Sequence, residues 1–130
     1  LERFDFSVKK QMKGTRKIYC VDNGLATSVS FSFSENIGHY LENLIFCELN
    51  KENQKIYFHK TKNGHEVDFF RPDAIDSEQL IQVCTNMKNE KTKQREIRAL
   101  TRAADELHLP GGLIITIDEE EKIEENGKLI

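Results

Sequence analysis

Gly64-His65-Glu66-Val67-Asp68-Phe69-Phe70, followed after a polar loop by Gln79-Leu80-Ile81-Gln82-Val83-Cys84, is the stretch on which the reading of the fold turns. Both segments mix β-branched or aromatic residues with polar ones at a spacing of two, which predicts strands. Side chains alternate across a strand, so Glu66 and Asp68 are expected on one face, with Val67 and Phe69 on the other. Gln82 and Cys84 are likewise expected to oppose Ile81 and Val83. Such alternation is the ordinary mark of a sheet with one wet side. A carboxylate set among aromatic residues, beside a strand with two polar groups on one face, can also hold a metal ion or meet a nucleic-acid phosphate.

The flanking sequence supplies the rest of a sheet. Residues 55–60 predict a strand, Asn63-Gly64 supplies a pair with φ > 0 for a two-residue hairpin, and residues 65–71 return antiparallel until Pro72. Residues 73–78 read as a loop and residues 79–84 as a third strand. Leu113 to Ile117 form a continuous apolar run, expected as a strand buried on both faces and parallel to the third. Two helices frame these strands. In residues 38–53, Leu41, Leu44, Ile45, Phe46 and Leu49 recur at helical spacing, with Ser34 or Asn36 available as a cap. Glu42 and Glu48 fall at the edges of that stripe, where a partly buried carboxylate requires a partner. In residues 91–109, Ile97, Leu100, Ala103, Ala104 and Leu107 form the inner face, and Pro110-Gly111-Gly112 stops the helix. Lys88, Lys91, Lys93, Arg95, Arg98 and Arg102 lie outside, partly offset by Glu90, Glu96, Asp105 and Glu106, as a solvated face or a phosphate contact. Residues 17–22 read as a further strand closed by Asp22-Asn23-Gly24, and Asn126-Gly127 joins a terminal hairpin. The order predicts an α/β fold with a mixed central sheet flanked by helices.

A chain of 130 residues accommodates one core. With 38% hydrophobic and 32% charged residues, and no apolar run approaching the roughly 20 residues of a membrane helix, it is not expected to cross a membrane. Cys20, Cys47 and Cys84 show no CxxC spacing and predict free thiols in a reducing cytoplasm. His39, His59, His65 and His108 are scattered without a zinc spacing. The net charge of -3 argues against bulk affinity for nucleic acid, so any such contact must be local. Lys9, Lys10, Lys13, Arg16 and Lys17 follow one another without an acidic residue, and residues 1–15 are expected to be a basic linker from a preceding domain. The start at Leu1 and a strand barely begun at Ile130 suggest a piece of a longer protein.

Leu41-Glu42-Asn43 on a helix, Thr61-Lys62-Asn63-Gly64-His65-Glu66-Val67-Asp68-Phe69 on a hairpin, Leu80-Ile81-Gln82-Val83-Cys84, and a helix with Arg95-Glu96-Ile97-Arg98-Ala99-Leu100 occur here in that order. Together they resemble the uncharacterised C-terminal domain of a family of prokaryotic AAA-type ATPases, over residues 16–130. That domain is similar to the PD-(D/E)XK, or restriction-endonuclease-like, nucleases. The resemblance implies a restriction-endonuclease-like core in which Glu42 matches the helix glutamate and Asp68 the metal-binding aspartate. Gln82 stands in place of the acidic residue of the E-x-K strand, and Cys84 stands where its lysine belongs.

Mg²⁺-assisted phosphodiester hydrolysis needs anionic oxygen ligands and a cation near the developing charge. Glu42 and Asp68 with neutral Gln82 would hold Mg²⁺ weakly, and Lys60, Lys62 or Lys88 would have to replace the missing cation. The resemblance therefore implies a catalytically weak or inactive accessory domain that binds nucleic acid or a protein partner. The alternatives are a Mg²⁺-dependent deoxyribonuclease and a structural domain that supports assembly of the ATPase. Lys62, Lys88, Arg95, Arg98 and Arg102 are the candidate contacts to DNA. The implied partners are ATPase and winged-helix segments of the parent chain. ATP would be bound by the parent alone, because no GxxxxGK[ST] motif occurs in these residues.

Overall fold

The computed structural model describes residues 1–7, 16–19, 37–117 and 120–130. Among them, five strands form one mixed sheet in the spatial order β1 (Glu2–Arg3), β2 (Tyr57–Lys60), β3 (Glu66–Phe70), β4 (Leu80–Val83) and β5 (Leu113–Ile115). β2, β3 and β4 pair antiparallel, whereas β1 joins β2 and β5 joins β4 in parallel. Helix α1 (Ile37–Asn50) lies on one face and α2 (Glu90–Glu106) on the other. β6 (Glu124–Glu125) and β7 (Lys128–Leu129) form a separate hairpin. The α/β fold, the shared sheet and the parallel β4–β5 pair agree with the sequence pattern, with shorter elements than periodicity alone suggests; the apolar run at 113–117 is not buried on both faces, because β5 is the last strand of the sheet and leaves Leu113 and Ile117 exposed.

The segment assigned to the linker begins inside the fold: Glu2–Arg3 pair with Tyr57 and Phe58. Arg16 bridges back to Glu2, and Lys17 N donates to Leu1 O at 2.8 Å. Residues 17–19 form no strand, contrary to expectation. Residues 8–15, the proposed caps Ser34 and Asn36, the Asp22-Asn23-Gly24 turn and Cys20 lie outside the described residues; Cys47 and Cys84 are free thiols. The hairpin after β2 also differs. Only Gly64 has positive φ, at 86°, while Gly64 N bonds Thr61 O and Thr61 N bonds His65 O. The connection is thus a longer turn with one left-handed glycine, and the two-residue form is reserved for Asn126-Gly127, where φ is 50° and 76°.

One register shift governs the sheet. Tyr57 pairs with Phe70 and His59 with Val67, so β3 fits an extra residue opposite β2. Alternation breaks at Asp68-Phe69. Val67, Phe70 and Leu80 pack with Leu100, Ala103 and Ala104 of α2, while Phe69 and Ile81 pack with Leu49, Ile45 and Phe46 of α1. Phe69 therefore joins Asp68 on the α1 face, where simple alternation put it opposite.

α2 starts at Glu90 because the Asn89 side chain accepts from Lys91 N and Thr92 N, satisfying two amides that have no helical partner. After α2 the chain turns at His108 (φ 57°) and passes through Gly111. A Cβ on Gly111 would lie 1.8 Å from the carbonyl oxygen of Leu129, and a backbone atom cannot swing aside as a side-chain tip can. Gly111→Ala is expected to lower stability by about 2 kcal/mol or more and to detach the β6–β7 hairpin. Thermal melting, with amide exchange at Leu129 and Ile130, checks both effects.

Candidate functional site: carboxylates around Lys17

Glu42 faces the sheet from α1, and the irregularity in β3 turns Asp68 toward it. Lys17 Nζ stands between them, 3.0 Å from Glu42 Oε1, 3.3 Å from Asp68 Oδ1 and 2.7 Å from Glu66 Oε1. The Tyr19 hydroxyl donates to the same Glu42 oxygen. Asp68 Oδ2 accepts from Val83 N at 2.9 Å, which ties the cluster to β4. The 16–19 segment is held independently of the charges: Tyr19 stacks on Phe46 with centroids 4.5 Å apart and touches Phe69, while Ile18 points to solvent.

One ammonium facing three carboxylates leaves excess negative charge. Burial, followed by the charge of Glu42, pushes the Asp68 carboxyl up to about 7, against the opposing pull of Lys17 and the Val83 amide. Burial alone would lower the Lys17 pKa, but the hydrogen bond to Glu66 and the charges of Asp68 and Glu42 outweigh it and hold it well above the lysine range. Burial and then Glu42 push the Tyr19 phenol well above its ordinary value, so it remains a donor. At neutral pH the cluster combines an ammonium that keeps its charge, a phenol that keeps its proton and an aspartic acid whose hold on a proton burial has strengthened.

Gln82 does not join the carboxylates on the α1 face. Its Oε1 accepts from the backbone N of Asp68 at 2.9 Å, and its Nε2 donates to Glu96 Oε2 on α2 at 2.7 Å. Glu96 Oε1 in turn accepts from Arg95 at 3.0 Å. Gln82 thus reaches Asp68 through its peptide, with its side chain turned to the opposite helix. Cys84 donates its thiol to Asn86 O, and burial pushes its pKa up. Glu48, the other edge carboxylate of α1, is exposed and pairs with Lys51.

The cation expected from Lys60, Lys62 or Lys88 is instead Lys17. Lys60 and Lys62 are exposed, the latter at the β2–β3 turn with its amide on Glu106, and Lys88 is exposed just before α2. Arg95, Arg98 and Arg102 are also exposed, on the helix across the sheet from Glu42 and Asp68. Reading Lys17 as part of a basic run concealed it. The available signal was Lys17-Ile18-Tyr19, in which an extended segment places the cation and phenol on one side.

The donor set does not fit Mg²⁺. A hard divalent ion takes anionic oxygens at about 2.1 Å with several waters, and the space between the carboxylates is filled by the Lys17 ammonium. Gln82 has its amide committed elsewhere. Among the described residues, no group of three or more His, Cys, Asp or Glu side chains is arranged to hold a metal ion. None of their helices is long and apolar enough to cross a membrane.

The architecture is that of an α/β domain with a central mixed sheet and, at its junction with α1, a carboxylate cluster that holds an internal ammonium counterion. The chain belongs to the family described as domain of unknown function DUF4143, whose model matches residues 37–130. It is 39% identical over 109 residues to an uncharacterized protein, MJ1544, of Methanocaldococcus jannaschii, covering 81% of this chain and 23% of that protein. The chain thus spans about a quarter of the length of this relative. No solved structure matches it.

Lys17→Ala leaves Glu42 and Asp68 without their cation and is expected to lower stability by about 3 kcal/mol. Millimolar Mg²⁺ or Ca²⁺ should partly restore the melting temperature of this variant and leave the wild type unchanged, because only the variant has room for the ion; differential scanning fluorimetry checks this. The raised pKa of Asp68 has a separate consequence. Its contribution to stability is fully present below its unfolded value near 3.8 and is lost as pH rises through about 7. Between these values Asp68→Asn should gain on the wild type by about 4 kcal/mol, measured by urea unfolding across the pH series.

Proposed function

We propose that this chain is a restriction-endonuclease-like accessory domain that does not cleave phosphodiesters, carried by a longer cytoplasmic AAA-type ATPase. The observation that carries this reading is the Lys17 ammonium, within 3.3 Å of Glu42, Glu66 and Asp68 oxygens. The kinship with the nucleases is supported by a helix glutamate and a strand aspartate meeting where α1 packs on the sheet. It is supported further by the order α1, β2–β3 hairpin, β4, α2, β5. A longer parent is supported by the 23% coverage of MJ1544. The nucleotide-dependent work would belong to the parent, because these residues contain no phosphate-binding loop.

In this reading the three carboxylates are the remnant of a metal centre, kept because they attach the N-terminal segment and α1 to the sheet. Lys17 serves as a permanent counterion in place of an exchangeable one. Gln82 and Cys84 fit that role, since neither supplies the charge that hydrolysis requires.

Incubation of the purified chain with a linear DNA duplex and Mg²⁺ or Mn²⁺ should give no cleavage above that of Asp68→Ala, and calorimetry should show no metal binding in the millimolar range. Cleavage by the wild type that disappears in Asp68→Ala would instead establish a metal-dependent deoxyribonuclease.

A further inference from the structure

Lys91, Arg95, Arg98 and Arg102 share the outer face of α2, and all are exposed. At 3.6 residues per turn they fall within about 60° of one another around the axis and extend over about 16 Å. Arg95 contacts Glu96 at 3.0 Å. Among the described residues, Lys91, Arg98 and Arg102 have no carboxylate within ion-pair distance. Arg16, Lys17, Lys51, Arg71 and Lys93, by contrast, each face a carboxylate, whereas Lys55, Lys60, Lys62 and Lys122 are, among the described residues, isolated cations on other elements.

The acidic residues of α2 are mostly diverted from this stripe. Glu96 is buried against Gln82, Glu90 accepts from Gln94, and Glu106 accepts from Lys62 N; Asp105 stands near the stripe's far end. Lys62 adds positive charge near the C-terminal end of the helix. In a chain with net charge -3, this is a local concentration of cations that the packing of the fold does not use. A line of exposed cations, three of the four without an ion-pair partner among the described residues, is complementary to a line of regularly spaced anions. α2 contains no aromatic residue on which unstacked bases could rest, so the match is to a duplex backbone and not to a single strand.

We propose that the outer face of α2 docks the phosphate backbone of duplex DNA without sequence preference, on the side of the sheet away from the Lys17 cluster. The contact is electrostatic and rests on Lys91, Arg98 and Arg102, with Arg95 in a lesser role because Glu96 competes for it. It is independent of whether the cluster is inert: cleavage is read by product formation, docking by affinity and its salt dependence.

Fluorescence anisotropy with two unrelated duplexes of equal length tests it. Three phosphate contacts predict an affinity about 40-fold lower at 200 mM than at 50 mM salt, for both duplexes alike. Replacing Lys91, Arg98 and Arg102 together by alanine should reduce low-salt affinity at least tenfold and flatten the salt dependence. Arg98→Lys with Arg102→Lys should retain it, because phosphate charge and not bidentate geometry is recognised. Melting curves establish that the variants are folded. Unchanged binding by the alanine variant, or a strong preference for one duplex, would overturn the proposal. So would binding of an acidic peptide such as polyglutamate through these residues with no binding of DNA, which would assign the face to a protein partner.

Discussion

A single ammonium group ties the N-terminal segment, the first helix and the middle of the sheet together through their side chains. Lys17 comes from the N-terminal segment, Glu42 from α1, and Glu66 and Asp68 from β3. Taking such charges partly out of water is unfavourable, and one cation cannot balance three anions. The arrangement reduces that imbalance in several ways: Tyr19 donates to Glu42, the Val83 amide donates to Asp68, Glu66 remains half-open to solvent, and the raised pKa of Asp68 lets it carry a proton. Aromatic packing of Tyr19 against Phe46 and Phe69 keeps the segment in place while these charges adjust.

The second constraint is the irregularity in β3. Regular alternation would turn Phe69 away from Asp68, but the extra residue lets both face α1, one filling the core and the other meeting Glu42. It also leaves the Asp68 peptide N–H to Gln82 in place of a regular ladder partner. A continuous polar path therefore runs from Lys17 through Asp68, Gln82 and Glu96 to Arg95, crossing the sheet between the two helices.

The fold was legible because its signals were local and repeated: two amphipathic helices, a turn glycine at Gly64, and the apolar run of β5. The parallel β4–β5 pair followed from the helix between them. That Glu42 is partly buried and has a partner was also legible, from its place at the edge of an apolar stripe. Lys17 was not, because its role depends on contacts 25 and 51 residues away along the chain. Gln82 lies on the face opposite Asp68 because β3 holds an inserted residue, which a period of two cannot announce. The β1 strand escaped notice for a different reason: two residues are too few to show any period, and their pairing with Tyr57 and Phe58 is entirely long-range.

The identity of residue 82 follows from this polar path. Its side chain must accept from the Asp68 peptide on one side and donate to the buried Glu96 carboxylate on the other, with heavy-atom distances of 2.9 and 2.7 Å. Glutamine meets both demands with one planar amide. An ionised glutamate, the residue that the nuclease pattern would place here, could accept but not donate, and would set two buried carboxylates against each other unless one took a proton. The neutral amide is therefore the residue that this interior requires, and the sharing of Glu96 with Arg95 completes the arrangement. The neutral amide at Gln82 and the use of Lys17 as an internal counterion are two parts of the same physical solution, in which buried polar groups satisfy one another.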